Sequence, residues 1–165
     1  MDVNEPLIGY LAYNSPTALE SYLKAILPSP LYSYSYLNVL KDKLTVTRII
    51  RKGIPISVFE EIQKMMDFSD SQWASWLEIN IRTLQRYRAD SQHIFKPSQT
   101  ERIFEIAEMI IRGNQVFDSK EHLQIWLNTP SLALGNESPL SFFENSYGKE
   151  LVIAELDRIE YGVFV

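Results

Sequence analysis

The 165 residues contain no cysteine. That absence excludes a disulfide framework, a thiolate metal site and a thiol nucleophile. A reducing cytosol suits such a chain. Histidine is scarce too: His93 and His122 are the two present. They lie in unrelated segments without metal-ligand spacing, so both are expected on the surface and no metal is expected. A nucleophile elbow, a phosphate loop and a paired-carboxylate motif are also missing. No catalytic residue and no cofactor is expected, and the chain reads as a non-enzyme. No apolar run approaches the roughly 20 residues that span a bilayer. The opening MDVNEPLIGYLAYN lacks the basic n-region and continuous apolar h-region of a signal peptide. The expected location is the cytoplasm, with no membrane partner.

What is present is an ordinary globular composition, 45% hydrophobic and 22% charged. Its length allows one domain or two small ones with a sizeable core. The net charge of −5 is unevenly spread. Residues 1–40 carry −2, residues 41–103 carry +3, and residues 104–165 carry −6. Only the middle is suited to binding an anion.

The pattern is overwhelmingly helical, without repeats or low-complexity segments. Ser15-Pro16 opens a helix over roughly 16–27, which Pro28 and Pro30 end. In LYSYSYLNVL the tyrosines alternate with serines, which fits a strand or a loop equally. Thr45 to Ile50 is β-branched and apolar, and Lys52-Gly53-Ile54-Pro55 breaks it. Ser57 with Glu60 reads as a capping box for a helix to about Met66. Asp70-Ser71 caps a short helix and Asn80 another. Pro97-Ser98 precedes a long one from Thr100 to about Phe117, with Ile103, Ile106, Ala107, Ile110 and Ile111 on one face. Further helices are expected after Asp118-Ser119, after Ser138-Pro139, and from Ser146 to about Tyr161, where Gly162 is the stop.

Asp70 to Ala89, DSQWASWLEINIRTLQRYRA, fits a helix-turn-helix. Two short helices crossing steeply need apolar side chains where they point into the shared corner. Trp73, Leu77, Ile79, Leu84 and Tyr87 occupy the fourth, eighth, tenth, fifteenth and eighteenth places from Asp70. Ala74 is small enough for close approach, and Asn80 caps the second helix. The ninth place, where the backbone tends to be left-handed, holds Glu78 in place of glycine. A DNA-reading unit of this kind presents Asn80, Arg82, Thr83, Gln85 and Arg86 outward for bases and phosphates. Arg88 and Lys96 would add contacts with the DNA backbone.

At the other end, Val152, Leu156, Ile159 and Val163 recur at helical spacing and are expected to pack on Trp126, Leu127 and Leu140. Pro130, Gly135 and Pro139 shape the loop between helices. Arg158, Glu160, Tyr161, Phe164 and Val165 fit either self-packing or a partner, since Arg, Tyr and exposed apolar groups are common interface anchors.

These residues resemble the Xre/MbcA/ParS-type antitoxins. The resemblance runs from about Arg51 to Val165. It rests on Gly53-Ile54-Pro55, Ile81-Arg82-Thr83-Leu84, Trp126-Leu127, Pro130, Ala133-Leu134-Gly135, Pro139-Leu140, Gly148 and Arg158-Ile159-Glu160-Tyr161-Gly162-Val163. No one motif is specific; their order and spacing together are. Glu78, Asn136 and Tyr161 depart from the common pattern, which has Gly, often Gly and often His there. The resemblance implies an all-α protein: a Cro/Xre-like helix-turn-helix domain at 41–117, then a small helical toxin-binding domain at 118–165. Residues 1–40 form an extension without a matching family. It further implies repression of the chain's own operon, binding of operator DNA as a homodimer, and neutralisation of a RES-type toxin that consumes NAD⁺. The toxin would be held by Trp126, Pro130, Leu134, Gly135, Pro139, Arg158, Glu160, Tyr161, Phe164 and Val165. The alternative is a stand-alone helix-turn-helix regulator whose C-terminal domain dimerises.

Overall fold

The computed structural model describes residues 18–26 and 36–162. Among the described residues there are nine α-helices and no strand. In chain order they are α1 Ala18–Ile26, α2 Tyr36–Lys41, α3 Lys43–Lys52, α4 Ile56–Gln63, α5 Asp70–Trp76, α6 Ile81–Ala89, α7 Pro97–Val116, α8 Lys120–Asn128 and α9 Ser146–Glu160. Two compact units divide between Phe104 and Glu105. That division falls inside α7, whereas the sequence reading put it after that helix. The described part of the N-terminal extension belongs to the first unit.

Most helices of the first unit are ten residues or shorter, and such lengths are marginal in isolation. An aromatic core holds them. Phe59 of α4, Trp73 of α5 and Phe95 after α6 are buried. The Phe59 ring stands edge-on to Trp73 at 5.1 Å and lies 5.0 Å from Phe95. Phe68 and Trp76 extend the cluster with an edge-on contact at 5.0 Å.

Long-range contacts correct several local expectations. Ser57 and Glu60 form no capping box, because α4 begins at Ile56 with Pro55 as an extended N-cap. Pro55 is fixed there by its bridge with Ile94. The Ile56 N–H donates to the His93 carbonyl at 3.0 Å, and the Phe95 N–H to the Ile54 carbonyl at 2.9 Å. Ser69, one residue ahead of Asp70, caps α5: its hydroxyl accepts from the Gln72 N–H while Gln72 Oε1 accepts from the Ser69 N–H. The β-branched run 45–50 is helical in α3, started by Asp42, whose carboxylate accepts from the Leu44 and Thr45 N–H groups. β-branching costs only tenths of a kcal/mol per residue in a helix, and fully buried Ile49 outweighs it.

The described part of the LYSYSYLNVL stretch is helix α2; Tyr32 and Tyr34 lie outside the described residues. Tyr36 is buried and donates to Glu61 at 2.7 Å. Burial, and then the Glu61 charge, push its phenol well above the ordinary range. Glu61 also accepts from the Ala18 and Leu19 N–H groups at the start of α1. One carboxylate on α4 thus satisfies two orphan donors and anchors α1 and α2.

In the second unit, Ser119 caps α8 as expected. The chain then makes a tight loop in which the Ser131 N–H donates to Glu137 at 3.0 Å and the Asn136 N–H to Ser131 at 2.8 Å. Gly135 and Asn136 both take left-handed conformations, φ 70° and 66°. The helix expected after Ser138 is one four-residue 3₁₀ turn, Pro139–Phe142. α9 starts at Ser146 as expected, and Asn145 caps it by accepting from the Gly148 N–H at 2.9 Å. Leu123, Leu127, Leu134, Phe143, Val152 and Leu156 are buried. Ile159 is half-buried, and Val163 lies outside the described residues.

A Cβ on Gly148 would sit 2.1 Å from the Phe142 carbonyl oxygen. The first turn of α9 therefore rests against backbone that has nowhere to go. Gly148→Ala is expected to lower the unfolding free energy by about 1–3 kcal/mol, read from a denaturant titration. Stability equal to wild type would show that this contact gives way.

Candidate functional site

The helix-turn-helix corner is built as its sequence requires. Trp73, Ala74, Leu77 and Leu84 are buried, with Ile79 and Tyr87 half-buried. The end of α5 closes with two hydrogen bonds, Glu78 N–H to Ser75 at 3.0 Å and Ile79 N–H to Ala74 at 2.9 Å. This is a Schellman pair, and it needs a left-handed residue just past the cap. Glu78 supplies it with φ 55°, at a cost that glycine would avoid. Its carboxylate stands exposed at the corner.

Asn80 then starts α6, accepting from the Thr83 N–H at 2.8 Å. Its carbonyl oxygen is thereby used, leaving its amide N–H groups for a ligand. Arg82, Gln85 and Arg86 are exposed, and Thr83 is half-buried. Ile81, part of the family-like segment but not one of the expected DNA contacts, is 41% exposed at the first position of α6. Together with Ser71, Ser75, Ile79, Asn80 and Arg82 it bounds a shallow open groove between the two helices.

Arg88 does not join this surface. Its guanidinium forms a two-pronged pair with Asp70, both contacts at 2.5 Å, and donates to Gln63 at 2.9 Å. The pair ties α6 to the start of α5 and to α4. Those hydrogen bonds hold the Asp70 carboxyl below the usual carboxylate range. The phosphate contact expected of Arg88 is therefore replaced by a structural one. His93 also departs from its surface expectation. Its ring stacks on Tyr87 at 3.5 Å and meets Phe95 edge-on at 5.0 Å. Burial holds the imidazole below its ordinary value. His122 is exposed, and no metal-binding cluster occurs among the described residues.

The ten residues expected to hold a toxin fall into separate groups. Leu134 and Pro139 are buried and act from inside the domain. Trp126 is half-buried with its ring 5.6 Å from Phe117. Glu160 pairs with Arg112, which also bonds Asp157 at 2.8 Å and so pins the end of α9 to α7. That hydrogen bond lowers the Glu160 carboxyl. Arg158 is paired with Glu155 at 3.0 Å while staying partly exposed. Pro130, Gly135 and Tyr161 are exposed, Tyr161 at 75%. Phe164 and Val165 lie outside the described residues.

The structure adds apolar groups that the sequence reading missed. Tyr147 is 82% and Leu151 49% exposed. With Ala154, Arg158 and Tyr161 they recur every three or four residues along the outward side of α9. Leu132 stands 87% exposed on the hydrogen-bonded loop after α8, and Ile125 is exposed on α8 itself. The inward stripe of α9, Val152 and Leu156 with half-buried Ile159, is the one expected from the sequence; the second, outward stripe was not singled out there.

Residues 46–108 match the family described as the antitoxin Xre-like helix-turn-helix domain. Residues 112–162 match the antitoxin Xre/MbcA/ParS C-terminal toxin-binding domain. The protein called Antitoxin Xre from Photorhabdus laumondii subsp. laumondii is 24% identical over 116 residues, 70% of this chain and 78% of that one. No helix among the described residues is long and apolar enough to cross a membrane.

Two substitutions test the corner. Arg88→Ala is expected to cost about 1 kcal/mol at neutral pH. Asp70's contribution is present above its unfolded-state pKa of about 4 and is lost as pH falls through its lower folded value. The variant should therefore lose less stability on acidification than wild type. Parallel acid-unfolding curves would remove the pair from the account. Glu78→Gly should raise stability by about 0.5–1 kcal/mol by relieving the left-handed carboxylate-bearing residue; a fall in melting temperature would contradict it.

Proposed function

Because the chain belongs to the Xre-type antitoxins, we propose that its C-terminal unit neutralises a RES-type, NAD⁺-consuming toxin and that α5 and α6 repress its own operon, as in a type II toxin–antitoxin pair. The action on the toxin is occlusion of the way to its NAD⁺ pocket, with no chemistry performed by this chain. The observation that carries the toxin half is the outward row of α9. Tyr147, Leu151 and Tyr161 leave large apolar surfaces in water. Such groups become favourable once a partner covers them. Arg158 sits within the row, 3.0 Å from Glu155, and adds a partly exposed guanidinium to it. Pro130, Gly135 and the exposed Leu132 border the toxin from the loop after α8, while Trp126, Leu134 and Pro139 support that loop from behind. Phe164 and Val165 extend the contact.

For the DNA half, Arg82, Gln85 and Arg86 are exposed on α6, and Asn80 and Thr83 stand at its first turn. Helices of this kind read base edges from their N-terminal residues. Binding as a homodimer in the cytoplasm completes the proposal. The same exposed row on α9 also favours a second reading, a stand-alone regulator that dimerises through its C-terminal unit.

Co-expression with the toxin encoded beside this gene separates the readings. Tyr147→Ala combined with Leu151→Asp should weaken toxin binding by about 30-fold or more and abolish protection of the cells, with the chain still folded and in its wild-type oligomeric state. Deletion of Tyr161–Val165 should act in the same direction. Full protection by both variants sinks the toxin reading. Dissociation of a homodimer, with no toxin bound by wild type, favours the second.

A further inference from the structure

We propose that the outward face of α3 is a second contact with duplex DNA, one that grips phosphates and reads no sequence. The inference rests on the DNA-reading role of α5 and α6. Between Lys43 and Phe59 the chain carries Lys43, Arg48, Arg51 and Lys52 and not one acidic residue. The inward side of α3 is set by fully buried Ile49, with Thr45, Val46 and Ile50 half-buried. Arg48, Arg51 and Lys52 are exposed, with Arg51 and Lys52 three and four residues after Arg48; Arg51 lies opposite Ile49 and Lys52 at the border of the buried face. The neighbouring acid, Asp42, caps α3, accepting from two backbone N–H groups and from the Thr45 hydroxyl at 2.7 Å, and its charge also interacts with Arg48.

These cations have a fixed relation to α6. Gly53, the C-cap of α3, lies so close to the segment after α6 that a Cβ there would stand 2.1 Å from the Phe95 carbonyl oxygen. Its own carbonyl accepts from the Tyr22 hydroxyl. Two residues before Phe95, His93 is stacked on Tyr87 of α6. Lys96 is exposed immediately after Phe95. Arg51 and Lys52 therefore flank the Gly53–Phe95 contact on one side and Lys96 on the other, towards the C-terminal end of α6. Asn80, Ile81 and Arg82 mark its N-terminal end. A recognition helix in the major groove has a phosphate strand along each edge. Positive charge placed at the end of the helix away from its reading residues meets that backbone and releases condensed counterions.

Helix-end electrostatics alone do not account for the set. Cations in the last turn complement the helix dipole, which covers Arg51 and Lys52 but not Arg48, a full turn earlier. The end of α3 is also already capped, since the Gly53 N–H donates to Ile49 and Ile50.

The test titrates the full chain against two duplexes, the segment upstream of its own gene and a scrambled duplex of equal length, over a range of salt concentrations. Arg48→Gln/Arg51→Gln/Lys52→Gln should weaken binding to both by a similar factor, about tenfold or more at low salt. The slope of log affinity against log salt should become shallower by about 0.9 for each phosphate that is no longer neutralised. The charge-preserving Arg48→Lys/Arg51→Lys/Lys52→Arg should keep the wild-type slope. Arg82→Ala/Arg86→Ala should instead erode the preference for the upstream duplex. A glutamine variant with unchanged affinity and slope, while the α6 variant falls, overturns this inference alone. A wild-type chain that binds neither duplex overturns the DNA reading, and this inference with it.

Discussion

The buried meeting of Phe59, Trp73 and Phe95 is the constraint on which the first unit depends. α5 has seven residues and α6 nine, too few to hold a helix in water unaided. Each large aromatic removed from water contributes on the order of 2–3 kcal/mol, more than any cap in the unit. Once these rings are packed, the segment before α4 must lie beside the segment after α6. That pairing moves the start of α4 to Ile56 and fixes Gly53 against Phe95. The corner of the helix-turn-helix, the anchoring of α1 and α2 through Glu61, and the placement of the α3 cations all follow from this closure.

The second unit follows a related division of labour with aliphatic side chains. α9 carries two apolar stripes, and Val152 with Leu156 goes inward beside Phe143. The other stripe is left to solvent. Arg112 fixes the end of the helix through Asp157 and Glu160. A rigid helix with an uncovered apolar side suits a partner that binds without reshaping it, because little conformational entropy is lost on association. Within the chain Glu160 pairs with Arg112 and Arg158 with Glu155, which restricts both side chains before a partner arrives.

Much of this was legible in the residues, wherever local chemistry decides. The apolar positions of the helix-turn-helix, the Asn80 and Ser119 caps, the buried stripe of α7 and the left-handed place at Glu78 all follow from short-range rules, although α7 starts at Pro97 and not at the expected Thr100. What was not legible depends on residues far apart. Ser57 loses its capping role to the bridge that Pro55 makes with Ile94. Arg88 finds Asp70 eighteen residues away, and Arg112 finds Asp157 forty-five away. Both are opposite charges visible in the sequence, but nothing local pairs them. The matched motif also mixed residues of different kinds: Leu134 and Pro139 shape the domain from inside, whereas Leu132, Tyr147 and Leu151 stand in water outside it.

The central claim is that the uncovered side of α9 is where the partner sits. Hydroxyl-radical footprinting of the folded chain, alone and with the proposed toxin partner, addresses that surface directly without a substitution. The account predicts that labelling of Tyr147, Leu151 and Tyr161 falls on complex formation, while exposed Leu44 and Ile94 are labelled as before. A stable complex in which Tyr147, Leu151 and Tyr161 remain as reactive as in the free chain would contradict it.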